Sequence, residues 1–181
     1  MDALTFPLSN RLLVLTAPHA ASAFMLELSA RLSAAGELRV LDGSNRFNVY
    51  PVARAVRRCT SDLAGALARI HLSRAFTCCQ MAALLAETPA DGLPTLVIDL
   101  LAAFYDDNVR LAESQRLLAG CILHLKRLSQ FAPVVISTRP PAPSCAEKGV
   151  LADALQAAAG GSWQLEALPA PKMPALWEEE A

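Results

Sequence analysis

The chain has 181 residues, a net charge of −1 at neutral pH and 54% hydrophobic residues. That length can bury one sizeable core, and the near-zero charge excludes the global basic field many nucleic-acid binders carry. Apolar content is high, yet no stretch approaches the ~18 uninterrupted apolar residues of a membrane span.

Leu12–Leu15 is an apolar run that reads as a first strand. A loop of small residues, Thr16–Ala23, follows, and an amphipathic helix starts at about Phe24. Leu38–Asp42 reads as a second strand ending on a carboxylate. Val49–Cys59 is helical, with Pro51 tolerable in the first turn, and Ser61–Ala68 is a short helix with Ser61 as its cap. Arg69–Arg74 alternates like a strand, and Thr77–Glu87 is helical. Thr95–Leu101 is a near-continuous apolar run, the pattern of a strand buried on both faces. Leu111–Gln130 carries one apolar stripe (Leu117, Leu118, Cys121, Ile122, Leu125, Leu128) and reads as a long helix. Pro133–Thr138 is another buried strand, and three prolines make Arg139–Ser144 a loop. Val150–Ala159 is helical, stopped by Gly160 and Gly161, and Trp163–Leu168 is a last strand. Alternating strands and helices predict a mostly parallel sheet with helices on both faces. We therefore expect one α/β domain over 1–168 and a Pro-rich acidic tail over 169–181.

Chemistry-bearing residues are sparse. His19, His71 and His124 are scattered, and no nucleophile–base set or zinc spacing is present. Five cysteines, odd in number and without metal spacing, fit free thiols in a reducing cytoplasm. The first residues lack a secretory signal's basic-then-apolar order, so the expected location is cytoplasmic, with no membrane contact. Arg46, Arg54, Arg57, Arg58, Arg69 and Arg74 face a single acid, Asp62, within their span. They form either a solvated helix face or a local anion-binding surface.

Four segments in order resemble the core of archaeal and eukaryotic RecA-type recombinases. The first is the strand, loop and helix of residues 11–35, laid out like a phosphate-binding GxxxxGK[ST] loop. Ala17 and Ser22 fall at its glycines, Ala23 at its lysine and Phe24 at its magnesium-binding hydroxyl. The second is VLDGSNRF (40–47), in which Asp42 and Phe47 match and Ser44 replaces the family's catalytic glutamate. The third is ARIHLSRAFTCCQM (68–81), with Arg74, Ala75, Phe76 and Gln80 at corresponding places. The fourth is the Walker-B-like TLVIDLL with Asp99, followed by a helix and by PVVIST. There Arg139 follows Thr138 where the family has Asn-Gln.

The resemblance implies a RecA-like P-loop fold with a vestigial nucleotide site at Ala17, Ser22, Ala23, Phe24, Asp42, Ser44 and Asp99. Hydrolysis needs neutralised phosphates, a held magnesium and an oriented water. With the lysine, hydroxyl and glutamate replaced, no enzyme activity, catalytic residue, cofactor or metal is expected. The family's first DNA loop is short here and carries Asp106 and Asp107, and the second is proline-stiffened. Weak DNA binding through Arg54, Arg57, Arg58, Arg74 and Arg139 is the remaining expectation. The implied role is a non-catalytic accessory protein in DNA recombination or repair, acting through a protein partner: a recombinase, polymerase or repair factor. The alternative is a ligand-binding protein or enzyme with a rebuilt pocket near Thr16–Phe24, Asp99 and Arg139.

Overall fold

A computed structural model describes residues 12–165. Six strands form one all-parallel sheet in the order β3-β2-β4-β5-β1-β6. They are β1 (Leu12–Thr16), β2 (Leu38–Asp42), β3 (Ile70–Arg74), β4 (Thr95–Ile98), β5 (Val134–Thr138) and β6 (Gly161–Gln164). The helices between them are α1 (Ser22–Ala35), α2 (Val49–Cys59), α3 (Leu63–Ala68), α4 (Cys78–Glu87), α5 (Leu111–Ser129) and α6 (Gly149–Ala158). Central strands are buried on both faces, which explains their unbroken apolar runs.

The two faces hold separate cores. Leu12, Val14, Leu41, Val97, Val134 and Ile136 point to the side covered by α4, α5 and α6. Leu13, Leu15, Val40, Leu96, Ile98 and Val135 point to the side covered by α1, α2 and α3. The period-2 alternation of the strands thus feeds both layers. Register pairs Leu12–Thr16 with Val134–Thr138 and Arg39–Asp42 with Thr95–Ile98, so the strands' carboxyl ends lie level along one rim. Among the described residues no helix is long and apolar enough to cross a membrane.

Several boundaries differ from the sequence reading for local reasons. β4 ends at Ile98, not Leu101, because Asp99 has a left-handed backbone (φ 51) that turns the chain. Leu100 and Leu101 are apolar because they are buried below that turn. α3 starts at Leu63 and its cap is Asp62, whose Oδ1 accepts the Gly65 N–H at 2.9 Å, rather than Ser61. The proline loop is shorter than read: Pro143 opens a 3-10 turn running to Lys148, and α6 begins at Gly149. β6 begins at Gly161, not Trp163. Residues 166–168 of the expected last strand, and the 169–181 tail, lie outside the described residues.

Candidate functional site

Ligands of parallel α/β sheets sit outside the strands' carboxyl ends, where neighbouring strands send their connections to opposite faces. Three such points exist among the described residues; at one, β3 leads to α4 while adjacent β2 leads to α2 on the opposite face. β1 leads to α1 on one face while adjacent β5 leads to α6 on the other. β2 leads to α2 while adjacent β4 leads to α5.

The β1/β5 point carries the P-loop-like segment. The Ala17 N–H donates to the Thr138 carbonyl at 3.0 Å, tying the loop to β5. Ala17 is extended (φ −155) and Ser22 is right-handed helical (φ −52), so neither position requires glycine. The left-handed residues are His19, Ala20 and Ala21, at φ 55, 53 and 49. None is glycine, and each such conformation costs roughly 1–2 kcal/mol. Ala17, Ala20 and Ala21 are buried, so methyl groups fill the inside of the loop. Ala23 is exposed beside α2, on a surface pocket shared with Glu27, Arg54 and Arg58. Phe24 packs against the α1–α3 core.

The β2/β4 point holds two fully buried carboxylates, Asp42 and Asp99. Asp42 is satisfied. Its Oδ1 accepts the N–H groups of Ser44 and Arg46 at 3.2 and 3.1 Å, and its Oδ2 accepts that of Phe47 at 2.9 Å. The Arg74 Nε approaches Oδ2 at 3.4 Å, and its Nη2 donates to the Phe47 carbonyl. Asp42 therefore moulds the loop after β2. Among the described residues Asp99 has no hydrogen-bond partner on either oxygen. Its Oδ2 instead faces the Nε of Arg46 at 3.6 Å and the Nε of Arg139 at 3.5 Å. Burial pushes its pKa up; Arg139 and then Arg46 oppose the rise, and the Asp42 charge adds to it. The Ser44 hydroxyl lies alongside but is also buried without a partner, so we count it as a neighbour and not a donor. Gly43 permits this closeness: a Cβ there would meet the Asp99 carbonyl at 2.8 Å.

Above Asp99 opens a pocket of about 300 Å³, lined by Gly43, Ser44, Asn45, Arg46, Phe76, Ala102, Ala103, Asp106 and Arg139. Its walls are pinned from outside. Tyr105 donates its hydroxyl to the Arg139 carbonyl at 3.2 Å, and burial raises that phenol to about 12, so it stays a donor. Lys148 is buried and donates to three carbonyls, Phe104 at 3.1 Å, Asp106 at 2.5 Å and Val109 at 2.9 Å.

The arginines named from sequence do not form one surface. Arg54, Arg57 and Arg58 are exposed on α2, with Arg58 paired to Glu27 at 2.5 Å. Arg74 is held by Asp42, and Arg139 stands over Asp99 on the other side of the crevice. Sequence reasoning named Arg46 only within the arginine cluster, as a solvated face or an anion-binding surface and not as a partner of Asp99, and it missed Lys148 as a loop clamp. An i+4 arginine after a strand-end aspartate offered a weak signal for the first; nothing offered one for the second, since its partners are backbone carbonyls. His124 lies at the core boundary, and His71 pairs with Glu37. Among the described residues no group of three His, Cys, Asp or Glu could hold a metal, and the five cysteines are free. No protein-family model and no curated protein matches the chain.

Proposed function

We propose that this chain is a RecA-like, non-catalytic accessory protein of DNA recombination or repair, located in the cytoplasm and working through a protein partner. The observation that carries the loss of catalysis is the surroundings of Asp99. The resemblance puts a magnesium-assisting carboxylate there, and two of the protein's own guanidinium groups now neutralise it. The residues do not fit a magnesium triphosphate: the loop supplies Ala23 and Phe24 where lysine and hydroxyl are needed, and Ser44 cannot orient a water as a glutamate would. The order of the four resembling segments supports the recombinase link.

The partner half of the reading rests on the β3 side of the molecule. β3 is an edge strand with mostly exposed side chains. Beside it Val49, Leu67, Ile70 and Leu72 line an open groove of about 620 Å³, and Tyr50 is 78% exposed nearby. Exposed apolar surface beside a strand edge that no described strand pairs favours protein contact. The test is light scattering over a wide concentration range, alone and with co-expressed recombinase, polymerase or repair proteins. A complex burying ~1,200–2,000 Å² is expected, and a strict monomer that joins none of them would reject the proposal. DNA binding should be weak and fall steeply with salt, because it depends on counterion release. Anisotropy with labelled single strands reads this, and tight binding at high salt would contradict it.

The ligand-pocket alternative is favoured by one observation, the open pocket between Arg46, Phe76 and Arg139.

A further inference from the structure

Both arginines over Asp99 approach it through Nε, and they converge on the same oxygen, Oδ2. Nε and one Nη share an edge of the planar, rigid guanidinium, so an arginine held by Nε turns its other Nη away from the anchor. Neither residue has an Nη partner among the described residues, and both side chains are partly exposed, at 35% and 39%. Two guanidinium groups whose Nη donors lack acceptors among the described residues thus line the 300 Å³ pocket. The carboxylate that orients them is itself fully buried and lacks hydrogen bonds. That is an unusual state for a native interior, where buried polar groups are nearly always satisfied.

The rest of the pocket narrows the ligand. Phe76 is 66% exposed at the lip and flat enough to cover a ring. Its backbone is held: its N–H donates to Gln80 Oε1 at 2.8 Å, and Thr77 caps the helix that follows. Asn45, held at φ 55, lines the wall with an amide that both donates and accepts. Asp106 also lines it and repels a bare anion; its Oδ1 is turned to the Asn108 N–H and Nδ2, both at 2.9 Å. Two arginines and two carboxylates make the site neutral in sum, so a simple inorganic anion gains little. A ligand that pairs one oxyanion with a flat, donor-bearing ring matches every wall.

We propose that the β2/β4 crevice binds a mononucleotide, its phosphate on the Nη groups of Arg46 and Arg139 and its base over Phe76, without magnesium. The base's exocyclic donors meet Asn45 or Asp106. The same chemistry is offered by a free nucleoside monophosphate and by the 5′-phosphorylated end of a single strand. Binding at this crevice requires neither hydrolysis nor a protein partner, so it stands or falls apart from the accessory-protein reading.

The experiment is a calorimetric titration of the whole chain with dAMP, ribose 5-phosphate, and a short oligodeoxyadenylate with and without a 5′-phosphate, all in chelator. Saturable dAMP binding is expected, weakened at least tenfold by either Arg46→Gln or Arg139→Gln. Phe76→Ala should weaken dAMP several-fold and leave ribose 5-phosphate unchanged. Arg46→Lys and Arg139→Lys keep the charge without the fork, and both should lose part of the affinity while keeping the wild-type thermal midpoint. A 5′-phosphorylated oligomer tighter than dAMP makes the source a strand end; equal or weaker binding makes it the free nucleotide. No dAMP or oligomer binding at millimolar concentration overturns the proposal. So does binding that ignores both arginine substitutions, or ribose 5-phosphate binding as well as dAMP with Phe76→Ala silent.

Discussion

Asp42 and Asp99 end adjacent parallel strands, are equally buried and each meet an arginine, yet they do opposite things. Asp42 spends its lone pairs on three backbone N–H groups, so removing it unmakes the loop that it shapes. Asp99 spends none on hydrogen bonds and sits on a left-handed backbone. A buried, unsatisfied and strained carboxylate does little for the fold, which is the pattern expected where the group serves a site. Burial alone does not separate a structural acid from a functional one; the inventory of partners does.

The largest expected effect is at Asp42. Asp42→Ala leaves three N–H groups and the Arg74 charge without their acceptor. The expected loss is about 3–5 kcal/mol, the range for removing one partner of a buried charged pair; urea unfolding reads it. A loss below about 1 kcal/mol would erase the distinction between the two acids.

Lys148 extends the comparison to a buried cation that is fully satisfied by carbonyls. Lys148→Met keeps the apolar stem and strands three carbonyls, so about 2–4 kcal/mol is expected to be lost. Faster amide exchange should appear over residues 104–109, and unchanged exchange there would remove Lys148 as the loop's clamp.

Asp99→Asn is expected to leave stability unchanged or raise it by up to about 1 kcal/mol. The substitution removes a buried charge with no hydrogen bond, and asparagine tolerates positive φ. A loss above about 2 kcal/mol would make Asp99 a structural acid like Asp42.

The smallest effect is a pH slope. The folded state raises the Asp99 pKa, so it holds a proton that the unfolded chain has already released. This contribution is present below the unfolded pKa of about 3.9 and is lost as pH rises through the raised folded value. The difference in stability between wild type and Asp99→Asn should therefore widen in favour of the variant as pH rises across that window. A difference that narrows has the wrong sign.

Much of the scaffold was legible in the sequence, because long apolar periods decide where strands and helices go. β2 and α2 have the ranges that their patterns suggest, and β5 starts one residue later, at Val134. Boundaries failed where one residue's backbone or side chain overrode the pattern, as with Asp99 ending β4 and Asp62 capping α3. Site residues were legible in part. Asp42, Ser44, Asp99 and Arg139 meet around one crevice, whereas Ala17, Ser22, Ala23 and Phe24 belong to another place in the fold or to its surface. Arg46 was named only as one of a cluster because its acid partner lies across the sheet, and Lys148 escaped as a clamp because carbonyl ligands leave no spacing in the chain.

On the proposed reading Asp99 is neutralised by the protein's own arginines and serves no metal triphosphate. The most direct measurement is a calorimetric titration with Mg-ATP, on the wild type and on Ala23→Lys, with hydrolysis followed in the same samples. The account predicts no magnesium-dependent binding in the low micromolar range and no hydrolysis in either protein, since the lysine alone restores neither the hydroxyl nor the glutamate. Saturable low-micromolar binding that requires magnesium, or turnover above background, would contradict it.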